Sequence, residues 1–110
     1  MVALLDKFEK LFVLHLNDNY RDWDDDMAVG SVHFWETLEF IYYLNLSSYE
    51  GWLGLDIFPY REDSAEACRY SIENIQYMLE VVKKIDLKTL HQIQKEANSL
   101  EAMRYIGSLL

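Results

Sequence analysis

One proline, four glycines and one cysteine are all that the 110 residues hold of the types that most often break, bend or staple a chain. With so little Pro and Gly there is no flexible linker and no low-complexity tract, so a single domain is expected. The lone Cys68 excludes an intrachain disulfide framework and points to a reducing compartment, the cytoplasm. Positive charge is also scarce: 10 Lys and Arg stand against 19 Asp and Glu, a net charge of −9. None of those cations clusters, which excludes a phosphate-tracking nucleic-acid surface. Long apolar runs are missing too. The opening stretch Met1–Leu5 is interrupted by Asp6, Lys7, Glu9 and Lys10, so neither a signal-peptide core nor a membrane span is expected. What the chain does have is 51% hydrophobic and 15% aromatic residues, enough for a packed core.

Periodicity predicts the elements. Residues 2–10 read as an amphipathic helix with Leu4, Leu5 and Phe8 on one face. Leu11–Asp18 reads as a buried strand, with Phe12, Leu14 and Leu16 on one side and Leu11, Val13, His15 and Asn17 on the other. A loop over Asn19–Gly30 leads to a helix capped by Ser31 and running to Leu46. Gly51–Pro59 reads as a second strand, with Leu53, Leu55 and Ile57 on one face and Trp52, Gly54, Asp56 and Phe58 on the other. Asp63 or Ser64 caps the longest helix, which runs to Ile85 and carries a core stripe of Cys68, Ile72, Ile75, Leu79 and Val82. Two short helices follow, Leu87–Asn98 and Leu100–Leu109, capped by Asp86 and Ser99. Strands alternating with helices predict an α/β fold of parallel βα units over residues 1–86, then a helical tail over 87–110.

Polar side chains stand at the C-terminal ends of both strands: His15 and Asn17 on the first, Asp56 on the second. In parallel βα architectures this is the end at which sites are built. The loop adds Asp24 and Asp26. One imidazole among several carboxylates suits Mn²⁺, Mg²⁺ or Co²⁺ better than a thiolate-rich zinc site. Each feature also has a plainer reading: a hydrogen-bonded strand-end histidine, a solvated acidic loop, and a strand-end cap or salt-bridge partner at Asp56. A calcium loop of EF-hand type starting at Asp22 fails on register, because Met27 and His33 fall where Gly and Glu are required. His33 and His91 read as surface or capping residues, Trp35, Tyr42 and Tyr43 as packing between helix and sheet, and Cys68 as buried and inert.

The segments His15-Leu-Asn-Asp-Asn-Tyr-Arg21, Trp23-Asp24-Asp25-Asp26, Val29-Gly-Ser31 and Gly51-Trp-Leu-Gly-Leu-Asp56 resemble the last part of a xylose isomerase-like TIM barrel. That superfamily holds xylose and rhamnose isomerases, ketose epimerases and a class of apurinic endonucleases. The resemblance covers residues 5–85. It implies the last two βα units of a TIM-barrel-type fold, a partial barrel, with a C-terminal helical extension. It also implies roles: His15 is similar to the strand-seven metal ligand of rhamnose isomerases, and Asp24 and Asp26 to ligands of a second metal. Asp56 is similar to the strand-eight ligand, and Arg21 stands where epimerases place a substrate-contacting arginine. Asp at position 56, rather than the longer Glu of the epimerases, tilts the resemblance towards an isomerase.

In such isomerases two divalent ions act as Lewis acids on an open-chain sugar while hydrogen moves between C1 and C2. A full barrel takes about 250 residues, so the resemblance places the earlier βα units and their Glu, Asp and His ligands outside this chain. The expected function is therefore the C-terminal part of a divalent-metal-dependent aldose–ketose isomerase, inactive until the rest of the barrel or another copy completes it. The alternative is a non-catalytic oligomeric fragment or a regulatory interaction module. Homo-oligomerisation is expected in either case, because two parallel strands leave open edges and an apolar face carrying Val13, Trp52, Gly54 and Phe58.

Overall fold

Seven elements run in the order α1 (Val2–Lys7), β1 (Leu14–Leu16), α2 (Phe34–Leu46), β2 (Leu53–Leu55), α3 (Ser64–Lys83), α4 (Leu87–Lys95) and α5 (Ser99–Gly107). The structure is a computed structural model and describes residues 1–110. Three helix starts are local capping motifs. Asp63 accepts from the Glu66 N–H at 3.0 Å, Asp86 from Thr89 at 2.9 Å, and Asn98, rather than Ser99, from Glu101 at 3.1 Å. The start of α2 is different. Its N-cap is His33, not Ser31, and its own cap residue satisfies none of the free N–H groups. The carboxylate of Asp18, just past β1, accepts from the N–H groups of Val32 and His33 at 2.8 and 2.9 Å.

β1 and β2 pair in parallel, with Leu14 opposite Leu53, His15 opposite Gly54 and Leu16 opposite Leu55. Each strand has three residues, far short of Leu11–Asp18 and Gly51–Pro59. Phe12, Val13, Trp52 and Phe58, which flank the ladder, are exposed and have no packed face to hold them extended. This corrects the expected fold. Five helices accompany a two-stranded sheet, and the molecule is mixed and helix-rich rather than the last two βα units of a TIM-barrel-type fold with a helical extension. The core gives the physical reason. Ile41 of α2, Met78 and Val81 of α3, and Val29 of the loop between β1 and α2 are fully buried, whereas Leu16, Leu53 and Leu55 of the strands are only half-buried at its margin. In a barrel the strand side chains fill the centre.

The buried face of α3 is Ser71, Ile75, Met78, Val81 and Val82, so Ile75 and Val82 lie where expected while Ile72 is exposed and Cys68 is half-buried. A polar residue, Ser71, takes the place the hydropathy pattern gives to Ile72. Its hydroxyl donates to the Ala67 carbonyl at 2.9 Å and accepts from the Val29 N–H at 3.2 Å. Asn74 completes the seam by donating to the Val29 carbonyl at 2.7 Å. The loop therefore docks on α3 through its backbone. Gly30 sits in that seam at φ +73°, a conformation that favours glycine, and a Cβ there would lie 2.6 Å from the Asn74 amide nitrogen and push that side chain aside.

The tail is seated on the helical core. Ile106 and Leu109 pack against it, the Tyr105 hydroxyl accepts from the Asp86 N–H at 2.8 Å, and the Tyr77 hydroxyl donates to the Leu110 carbonyl at 2.7 Å. Together with α2 the tail walls an apolar cleft of about 290 Å³. Trp35, Tyr42 and Tyr43 line that cleft, and Tyr42 also packs against the core. No helix is long and apolar enough to cross a membrane.

Candidate functional site

Just past β1 the chain folds back, and Asp18 and Met27 exchange both backbone hydrogen bonds, at 3.0 and 2.8 Å. That closure returns the aspartate loop to the C-terminal end of the sheet. The stretch after β2 is tied to the same place: the Asp56 N–H donates to the Leu16 carbonyl at 3.0 Å, and the Phe58 N–H to the Asp26 carbonyl at 2.8 Å. Two strand ends and one loop thus share a rim.

His15 stands opposite Gly54, where a Cβ would come within 2.9 Å of the imidazole. The absent side chain leaves room for the ring. His15 Nδ1 lies 3.9 Å from Asp56 Oδ2, and both side chains are open to solvent. Asn17, two residues on and therefore on the same strand face, donates to Asp26 Oδ1 at 2.8 Å and more loosely to Asp24 Oδ1 at 3.5 Å. The Asp26 carboxylate, by its charge and then by a shared hydrogen bond, holds Asp24 above the ordinary carboxylate range. Slight desolvation and the Asp56 charge push the same way, while the Asn17 amide opposes them. Asp24, Asp26 and Asp56 are therefore close enough to repel one another.

Arg21 is held elsewhere. Its Nε donates to His33 Nε2 at 2.8 Å and its terminal nitrogen to Glu36 at 2.9 Å, so the guanidinium lies along the start of α2. The backbone of Arg21 adopts φ +78° and that of Asp26 φ +47°, left-handed turns that cost a side-chain-bearing residue on the order of 1 kcal/mol. Behind Arg21, the His33 ring meets the buried Asp18 carboxylate at 2.7 Å. Burial pushes the Asp18 carboxyl up. The N–H groups of His33, Val32 and Asn19 and the His33 ring outweigh it and leave Asp18 below its ordinary range.

Four of the five expected site residues therefore come to one rim, as two pairs: His15 with Asp56, and Asp24 with Asp26 through Asn17. The fifth, Arg21, does not join them. No three of the chain's His, Cys, Asp and Glu side chains converge tightly enough to hold a metal ion. The Asn17 amide bridges the two loop carboxylates. As arranged, the chain's own donors do not close on a divalent cation. Sequence reasoning missed Asp18, His33 and Glu36, which fix Arg21. The bonds of this group link residues 12, 14 and 15 positions apart, separations that no helical or strand period reports.

No model of a known protein family matches this chain, and no curated protein matches its sequence.

Proposed function

We propose that this chain carries part of a divalent-metal, sugar-isomerising centre and works only when another polypeptide, a second copy or a chain bearing the remaining donors, completes it. The observation that carries this reading is the convergence of His15, Asp24, Asp26 and Asp56 on one solvent-open rim in two incomplete pairs. Mutual repulsion at Asp24 supports it, since a cation relieves such repulsion. Asp56 in place of a glutamate favours an isomerase over an epimerase. The lone Cys68 fits a reducing, cytoplasmic setting.

A thermal-shift series tests the metal half of the proposal. Millimolar Mn²⁺ should raise the melting temperature, because only the folded chain brings the pairs to one rim. His15→Ala and Asp56→Asn should each reduce that shift. Isolated protein should not turn over xylose or rhamnose. An unchanged melting temperature across millimolar Mn²⁺ would overturn the metal assignment.

A second reading, a non-catalytic oligomeric module, has its own support. Phe12, Val13, Trp52 and Phe58 are 58–86% exposed beside a sheet with two open edges. The two readings separate on Mn²⁺: the module needs none.

A further inference from the structure

The side chains of Asp18, His33, Arg21 and Glu36 form one continuous chain of contacts running from the interior to the surface. Asp18 is 4% exposed, the His33 side chain 21%, and the Arg21 and Glu36 side chains 68% and 58%. The direction of each bond follows from donor chemistry. An arginine Nε always carries a hydrogen and cannot accept, so the 2.8 Å contact makes His33 Nε2 the acceptor. The ring proton then sits on Nδ1, facing Asp18 Oδ1 at 2.7 Å, which is the donor this carboxylate needs. His33 is thus neutral, in one tautomer, and held at both nitrogens.

That arrangement cannot survive a second proton on the ring. Protonated Nε2 would point an N–H at the N–H of Arg21 Nε and place two cations in contact. The bond to Asp18 would only strengthen, because it already runs from Nδ1–H to a carboxylate. Acidification therefore keeps His33 anchored and makes Arg21 the group that must leave. The charged groups facing His33 are Asp18 past β1, Arg21 in the loop and Glu36 on α2. Glu36 is bonded to Arg21 by a single exposed contact of 2.9 Å, of the kind worth no more than about 1 kcal/mol.

We propose that His33 is a proton-operated latch on Arg21: neutral, it pins the guanidinium along α2, and protonated on Nε2 it releases the guanidinium from the start of that helix. While the latch is shut two of the five N–H donors of Arg21 are engaged, and release frees them for a polar, oxygen-rich ligand. The inference rests on the proposed function only for the identity of the ligand. The latch is a property of the unliganded chain.

Side-chain NMR of ¹⁵N-labelled protein tests it without metal or sugar, so failure of the latch and failure of the isomerase reading remain distinguishable. At pH 8 the long-range imidazole spectrum should show His33 protonated on Nδ1, with the Arg21 Nε–H slowed in exchange relative to the other arginines. On acidification the Arg21 Nε–H should reach free-guanidinium exchange with the same midpoint as the His33 ring. Arg21→Met should move the His33 midpoint upward by about 0.5 pH unit or more, since it removes both a neighbouring cation and the donor to the neutral ring. Glu36→Gln should move it downward. The opposite tautomer at pH 8, an Arg21 signal indifferent to His33 protonation, or an unmoved midpoint in Arg21→Met would each overturn the latch.

Discussion

Asp18 and His33 are bonded twice, through the His33 backbone N–H to Oδ2 at 2.9 Å and through the ring Nδ1 to Oδ1 at 2.7 Å. One buried carboxylate therefore binds the backbone at the start of α2 and orients the imidazole of its N-cap residue. The fold and the candidate rim meet at this pair.

Replacing Asp18 with Ala should destabilise the protein by about 3 kcal/mol, because it leaves the Val32, His33 and Asn19 N–H groups without their acceptor. Denaturant unfolding measures this directly. The pH dependence has a definite sign. Asp18 is held below its ordinary 3.8 in the folded state, so its contribution is complete above that value and is lost as pH falls through the lower folded one. The Asp18→Ala variant should lack that acid-side loss.

Asp24 behaves oppositely. Its carboxyl is raised by Asp26, so the folded chain holds that proton more tightly than the unfolded chain does. Stability from this group is present below the unfolded pKa and is lost as pH rises through the raised folded one. Asp24→Asn should accordingly unfold at a slightly higher temperature than wild type at pH 7 while binding Mn²⁺ more weakly. A variant that is less stable at pH 7 would contradict the repulsion.

Gly30→Ala should cost about 1–3 kcal/mol, from φ +73° and from the crowding at Asn74. Gly107→Ala, with nothing within 4 Å of the new methyl, is the control and should be neutral or stabilising. Comparing the two midpoints in urea isolates the seam between loop and α3.

Sedimentation equilibrium at micromolar concentration should find a dimer or larger assembly, given the open sheet edges and the exposed Trp52, Val13 and Phe58. Trp52→Ser should weaken it. A cooperative 13.1 kDa monomer would count against completion by a second copy.

Much of the helical framework was legible because its signals are local. Asp63 and Asp86 cap their helices three residues ahead, as the spacing indicates, and β1 and β2 pair in parallel with His15, Asn17 and Asp56 at one end. The strand lengths were not, and the partial barrel that the resemblance implied does not form. Phe12, Val13, Trp52 and Phe58 have strand-like chemistry but no neighbouring strand to extend the ladder, and the apolar mass of α2 and α3 packs helix on helix instead. Ser71 misled for another reason. It is buried to receive the Val29 N–H, a partner 42 residues away that hydropathy cannot indicate. Arg21 escaped in the same way, because the side chains that hold it lie at the N-cap and in the first turn of the next helix.

In the proposed centre, His15, Asp24, Asp26 and Asp56 together attract divalent ions to one rim, with help from outside the chain. Paramagnetic broadening by Mn²⁺ across the amide and side-chain spectrum of ¹⁵N-labelled protein tests it most directly. Binding should be weak, in the millimolar range, with broadening centred on these four residues and on Asn17, and that focus should be lost in His15→Ala with Asp56→Asn. Broadening spread evenly over the acidic surface, or centred on another cluster, would contradict it.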